Sequence, residues 1–114
     1  MLRGEVWLIN LDPAIGSEIK KTRPAVIVND DAVGMLPLKV IVPITEWKDR
    51  YAVALWMVRL ESDSENGLDK PSAADAFQVR SISQARFVRQ LGKLSGTAMQ
   101  EITKALAVVL AIEE

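Results

Sequence analysis

"GSEIKKTRPAVIV", residues 16–28, decides how this chain is read. From Pro24 onward it is a run of apolar and β-branched residues bounded by polar ones, the pattern of a strand over Pro24–Asn29. The approach to that strand carries Glu18, Lys20, Lys21 and Arg23 behind a Gly16-Ser17 turn. Arg23 enters the strand, so the sheet and not a loose loop sets its direction. Two readings stand open: a solvated, charged loop, or a strand that holds a reactive cluster at its mouth.

Working outward, Glu5–Leu11 (EVWLINL) reads as a strand, broken by Asp12-Pro13 and Gly16. The connection to the next strand is about ten residues, long for a simple hairpin and typical of a functional loop. Lys39–Thr45 (KVIVPIT) is a third strand, and Pro43 within it predicts an edge or a bulge, since proline cannot donate to the ladder. Ala52–Leu60 reads as a fourth strand and Ser62–Ser72 as a flexible loop. Phe77–Ile82 alternates apolar and polar residues and reads as a fifth strand, with Gln78, Arg80 and Ser83 sharing or bordering its wet face. A helical turn over Gln84–Val88 and a short strand over Gln90–Leu94 follow. The last segment is a helix with Ser95 as N-cap and Met99, Ile102, Leu106, Val109 and Leu110 on one face. Ala105–Ile112 is apolar almost all round, more than one buried side can absorb, which predicts a homodimer. The sum is a mostly β (α+β) domain over residues 1–114, a small, partly closed barrel with a C-terminal helix.

With 114 residues, 49% of them apolar, the chain has material for one core. It contains no cysteine and no histidine, which removes disulfides, the commonest zinc ligands and the commonest general base. No signal-peptide pattern opens the chain and no apolar run is long enough to span a bilayer, so the expectation is a soluble, cytoplasmic protein with no membrane partner. A net charge of −1 argues against a generic polyanion binder. The distribution is uneven: residues 60–75 carry five acids against Lys70, whereas residues 76–100 carry Arg80, Arg86, Arg89 and Lys93 and no acid. That asymmetry builds a local positive surface on a near-neutral protein, or else two ordinary solvated loops.

"DSENGLD" (63–69) has the composition of a calcium loop but not its spacing, and phosphate-binding and nucleophile-elbow motifs are absent. Residues 16–23 therefore hold the chemistry, if any is present. In a small antiparallel barrel Arg23, at the start of one strand, meets Thr45, at the end of its neighbour, with Glu18 above them. A phosphodiester attacked by its own 2′-hydroxyl suits this trio. Arg23 can bind the non-bridging oxygens with its fork, Thr45 and backbone N–H groups complete the cradle, and Glu18 can take the 2′-proton. The bland alternative is a strand-end arginine and a glutamate paired with Lys20 or Lys21.

Four segments, "RGEVWLINLDP" (3–13), "GSEIKKTRPAVIV" (16–28), "VIVPIT" (40–45) and "FQVRSIS" (77–83), in this order and spacing, resemble the MazF/PemK/Kid toxins of bacterial toxin–antitoxin modules. The likeness covers almost the whole chain. It implies an SH3-like barrel with a C-terminal helix, related to the gyrase poison CcdB. It also implies a homodimeric, metal-independent endoribonuclease that needs no cofactor and cuts single-stranded RNA to a 2′,3′-cyclic phosphate and a 5′-hydroxyl. A cognate antitoxin with an acidic, partly apolar segment is the implied inhibitor. Glu18, Arg23 and Thr45 match positions implicated in cleavage. Arg80 matches a basic position in the RNA groove, with Gln78 and Ser81 beside it; Ser17, Lys20, Lys21 and Arg86 complete the expected RNA contacts. Kid-type members carry a histidine where this chain has Ser17, and an aspartate three residues after the basic strand residue, where it has Ser83. That acid–base pair is therefore missing, and Arg23 is expected to stabilise charge, its pKa being too high for a proton donor. The alternative from another class is a CcdB-like gyrase poison or an inactive module that only binds its antitoxin.

Overall fold

The β-rich reading resolves, in a computed structural model that describes residues 1–33 and 36–113, into seven antiparallel strands and one helix. The strands are β1 (Glu5–Asn10), β2 (Thr22–Ile27), β3 (Leu38–Glu46), β4 (Met57–Leu60), β5 (Ser72–Asp75), β6 (Arg80–Ser83) and β7 (Phe87–Lys93); the helix α1 is Gly96–Leu110. The sheet runs β4-β5-β3-β2-β1-β7, with β6 also pairing β3. β2 starts two residues earlier than the apolar run suggests, which places Arg23 inside the ladder opposite Ile9.

β3 is the spine. Its first half pairs with β6 (Leu38 to Ile41) and its last residues pair with β5 (Ile44 to Glu46), on the same edge. Pro43 falls in the gap between these two partners. On the β2 side the Val28 N–H donates to the Val40 carbonyl, so by alternation Pro43 opposite Ala25 is a non-hydrogen-bonded position. The missing N–H therefore removes no ladder bond. Pro43 lies in a central strand, not at an edge or bulge as expected, because the partner strand changes at that residue.

Both faces of the sheet are covered. Ile9, Leu11, Ala25, Ile27, Ile41 and Ile82 form one core, and Val6, Val26, Val42, Ile44, Leu60 and Ile102 belong to the other. Neighbours such as Val26 and Ile27 thus point into different cores, which is why β2 and β3 read as unbroken apolar runs.

The fourth expected strand is half turn. Asp49–Val53 is a 3₁₀ turn, and the ladder starts only at Met57. Backbone bonds from Ala54 N–H to Tyr51 and from Met57 N–H to Ala54 satisfy the segment locally, although Val53 and Leu55 are 89% and 74% exposed. The stretch after β4 is a built turn, not a flexible loop. The buried Asn66 side chain accepts from the Asp63 and Leu68 N–H groups and donates to the Glu61 carbonyl. It docks on β7, where Lys93 N–H donates to the Glu65 carbonyl at 2.8 Å. A Cβ on Gly67 would sit 2.1 Å from the Leu91 carbonyl oxygen, and one on Gly92 would sit 2.1 Å from that of Glu65. Only glycines allow this approach, which curls the sheet and brings the β4–β5 connection against β7.

Ser95 caps α1 as expected, its hydroxyl accepting from the Ala98 N–H at 3.1 Å. Ile102 and Ala105 are buried against the sheet, while Met99, Leu106 and Val109 are partly covered. Burying one such isoleucine contributes about 1.5–3 kcal/mol. Leu110, expected on the buried face, is 55% exposed, and Val108 and Ile112 also face solvent. No helix among the described residues is long and apolar enough to cross a membrane.

Candidate active site

Antiparallel register brings Arg23 and Thr45 together. The β2–β3 ladder ends with Ala25 opposite Pro43, and Arg23 and Thr45 lie two residues beyond that pair, one on each strand. Both line a cleft of about 340 Å³. The Arg23 Nε donates to the Lys20 carbonyl at 3.0 Å, which aims the side chain and leaves its terminal amino groups for an anion. Lys21, Lys70 and Arg89 line the same cleft, against Glu46 and Asp69. The sequence reading named Lys21 but missed Lys70 and Arg89 as neighbours of Arg23. The signal for Arg89 was present, since it belongs to the acid-free stretch 76–100.

Glu18 lies elsewhere than directly above the pair. It lines a neighbouring hollow of about 520 Å³ with Ser17, Ile19, Pro43, Phe77, Gln78 and Arg80. Pro43 lines this hollow and Thr45 lines the cleft, and the two residues are successive on one face of β3, so the two hollows are neighbours along that strand. The Glu18 carboxylate accepts from the Ile15 N–H at 2.6 Å, folding the β1–β2 loop back on itself.

Gln78 holds that loop in place. Its Oε1 accepts from the Ile19 N–H at 2.6 Å and its amide nitrogen donates to the Ser17 carbonyl at 3.3 Å. The expectation that Phe77–Ile82 forms one strand is corrected here: Ala76–Gln78 is a 3₁₀ turn and β6 begins at Arg80. Gln78 therefore reaches across to the loop instead of alternating with Arg80. Beneath it the buried Asp75 accepts from the Phe77 N–H at 3.1 Å and from the Gln78 amide at 3.3 Å. Burial pushes the Asp75 carboxyl above its ordinary value, although the hydrogen bonds from Phe77 and Gln78 oppose the rise.

The remaining expected contacts divide. Arg80, opposite Ile41, faces the Glu18 hollow. Ser81 points to the other side of β6 and lines a separate hollow with Asn29 and Val40, and Ser83 shares its side. Arg86 turns to the β1–β2 loop, donating to the Asn10 and Asp12 carbonyls. Lys20 and Lys21 are exposed on the loop, and Lys21 takes a left-handed conformation (φ 72°) as its N–H meets Asp12. Among the described residues no three acidic, histidine or cysteine side chains converge on a metal position.

The family model described as "PemK-like, MazF-like toxin of type II toxin-antitoxin system" matches residues 2–110. Endoribonuclease MazF9 of Mycobacterium tuberculosis is 34% identical over 112 residues, covering 93% of this chain and 92% of that protein. In fold, the chain is similar to MazF from Deinococcus radiodurans, with a TM-score of 0.82 at 22% identity over 98% of this chain and 97% of that one. A mycobacterial endoribonuclease in complex with its cognate antitoxin is likewise similar, with a TM-score of 0.79 at 21% identity over 100% and 98%. Matched along nearly its whole length in both sequence and fold, the chain belongs to the PemK-like, MazF-like toxins of type II toxin–antitoxin systems.

Proposed function

We propose that the chain, as one toxin domain over residues 1–114, is an endoribonuclease that cuts single-stranded RNA in the cytoplasm through attack of a 2′-hydroxyl on the adjacent phosphorus. The observation that carries this reading is that Arg23 and Thr45, just past the end of the β2–β3 ladder, line one cleft with further cations. Charge grows on the non-bridging oxygens as the 2′-oxygen bonds to phosphorus. The Arg23 fork and the Thr45 hydroxyl donate to those oxygens, so they bind the transition state more tightly than the substrate. Glu18 is the carboxylate available at the adjoining hollow to accept the 2′-proton. The bond to the 5′-oxygen breaks, leaving a 2′,3′-cyclic phosphate and a 5′-hydroxyl. No step calls for a metal ion. Arg80, with Lys20, Lys21 and Arg86 on or beside the loop, supplies the positive surface along which the strand lies.

The protein acts as a homodimer, its second copy covering the outward apolar residues Val108 and Leu110 of α1 and Ile112 just beyond it. A cognate antitoxin with an acidic, partly apolar segment competes with RNA for the basic stretch 76–93. Incubation of the purified protein with a long single-stranded RNA, with and without EDTA, tests the activity. Cleavage in both arms is expected, and a chelator-sensitive reaction or an intact RNA sinks the reading. Light scattering showing a stable monomer at micromolar concentration sinks the dimer.

A further inference from the structure

Phe77 and Trp56 stand out among the aromatic residues. Their rings meet edge to face, with centroids 6.0 Å apart at 61°, yet Phe77 is 66% and Trp56 40% exposed. The chain holds six Trp, Tyr and Phe residues in all, and two exposed rings in contact form the kind of apolar patch that marks a binding surface. The backbone that carries the pair is anchored. The Phe77 N–H is bound by the buried Asp75 carboxylate, and the Trp56 carbonyl accepts from the Ala76 N–H at 2.9 Å. Phe77 lines the hollow that contains Glu18, Gln78 and Arg80, so the aromatic surface opens onto the hollow that holds the carboxylate of the proposed reaction.

We infer that Phe77, backed by Trp56, is a stacking platform for an unpaired base of the RNA next to the cut phosphodiester. Single-stranded RNA presents open base faces, and an aromatic ring beside a cation is the surface that takes them. Arg80 at the same hollow holds the phosphate that follows the stacked base. The two rings meet edge to face and not in a parallel stack, and Phe77 stays 66% exposed beside Trp56. A second copy of the chain is the rival occupant, since Val53 and Leu55 precede Trp56 in an exposed turn. The continuity with Glu18 and Arg80, and the aromatic character of the pair, favour a nucleobase.

This inference rests on the proposed RNA cleavage, and the test separates the two. The affinity of Phe77→Leu, Phe77→Ala and Phe77→Trp is measured for a mixed-sequence, 2′-O-methyl single-stranded RNA and for an abasic ribose-phosphate oligomer of equal length. Light scattering and cleavage of long RNA are run in parallel. Leucine keeps the apolar bulk and removes the π face. Phe77→Leu and Phe77→Ala are expected to bind the RNA about 5- to 100-fold more weakly, and Phe77→Trp close to the parent. On the abasic oligomer the four proteins should agree, and Phe77→Leu should shift the positions at which long RNA is cut. Equal binding by Phe77→Leu and the parent protein overturns the platform while leaving cleavage intact. Loss of affinity that follows a drop in particle mass assigns the surface to a second copy and also overturns it. A parent protein that neither binds nor cuts RNA removes the underlying activity and the platform with it.

Discussion

Gln78 and Ile19 are 59 positions apart in sequence and joined by a 2.6 Å hydrogen bond from the Ile19 N–H to the Gln78 side-chain oxygen. Through it the β5–β6 turn holds the loop that carries Glu18. Gln78→Ala removes this bond, the 3.3 Å bond to the Ser17 carbonyl and the 3.3 Å bond to the Asp75 carboxylate. Each bond of this kind is worth about 0.5–1.5 kcal/mol, so the loop loosens while the fold persists. Turnover should fall while affinity for uncleavable RNA changes little. Hydrogen exchange at residues 15–20 should quicken, and unchanged exchange there would deny Gln78 its positioning role.

Arg23 should be the most costly position for the reaction. Removing one donor to a developing oxyanion typically lowers the rate about 100- to 1,000-fold. Arg23→Ala should show that loss in turnover more than in RNA binding. Arg23→Lys should rescue poorly, because lysine keeps the charge but lacks the planar fork. Thr45→Ala should cost less, since its hydroxyl is a neutral donor. Single-turnover rates on one RNA provide the comparison, and RNA with a 2′-deoxy nucleotide at the cut should bind and survive.

Asp75 ties stability to pH. Its carboxyl is raised by burial, so the folded protein holds this proton more tightly than the unfolded chain does. The contribution is therefore fully present below the ordinary carboxylate value and is lost as pH rises through the folded value. Asp75→Asn keeps an acceptor for the Phe77 N–H and removes the titration. Denaturant melts across mildly acidic pH should show that segment of the stability profile in the parent protein and not in the variant.

The Gly67 and Gly92 approach gives a purely steric prediction. A methyl group at Gly92 meets the Glu65 carbonyl oxygen at 2.1 Å and the Asn66 carbonyl carbon at 2.5 Å, both backbone atoms that cannot swing aside. Gly92→Ala should destabilise the protein by about 1–3 kcal/mol. Gly96→Ala, where nothing lies within 4 Å, should be neutral or better, as thermal melts of the two will show.

The strands that hold the core were legible because their residues are β-branched and apolar: β1, β2 and β3 all lie within two residues of the expected bounds. β5 was invisible, since "SAAD" carries no strand signature and pairs only because the buried space between β3 and β4 admits small residues. The run at Ala52–Val53 misled in the opposite sense, being apolar and yet exposed on a turn. At the site, the approach of Arg23 and Thr45 to one cleft followed from strand direction and order. The Gln78 contacts with Ser17 and Ile19 span a separation that no periodicity encodes. Ser81 was put beside Arg80 by the family resemblance, and strand alternation sends it to the other side of β6.

The shared edge of β3 has an evolutionary consequence. β5 and β6 are pinned to the same strand on either side of Pro43, so the chain from Ala76 to Val79 leaves the sheet and returns to it between two secured anchors. Substitutions in that excursion leave both ladders in register. The exposed Phe77 can thus change without disturbing either ladder, whereas Gln78 in the same excursion is tied to Ser17, Ile19 and Asp75.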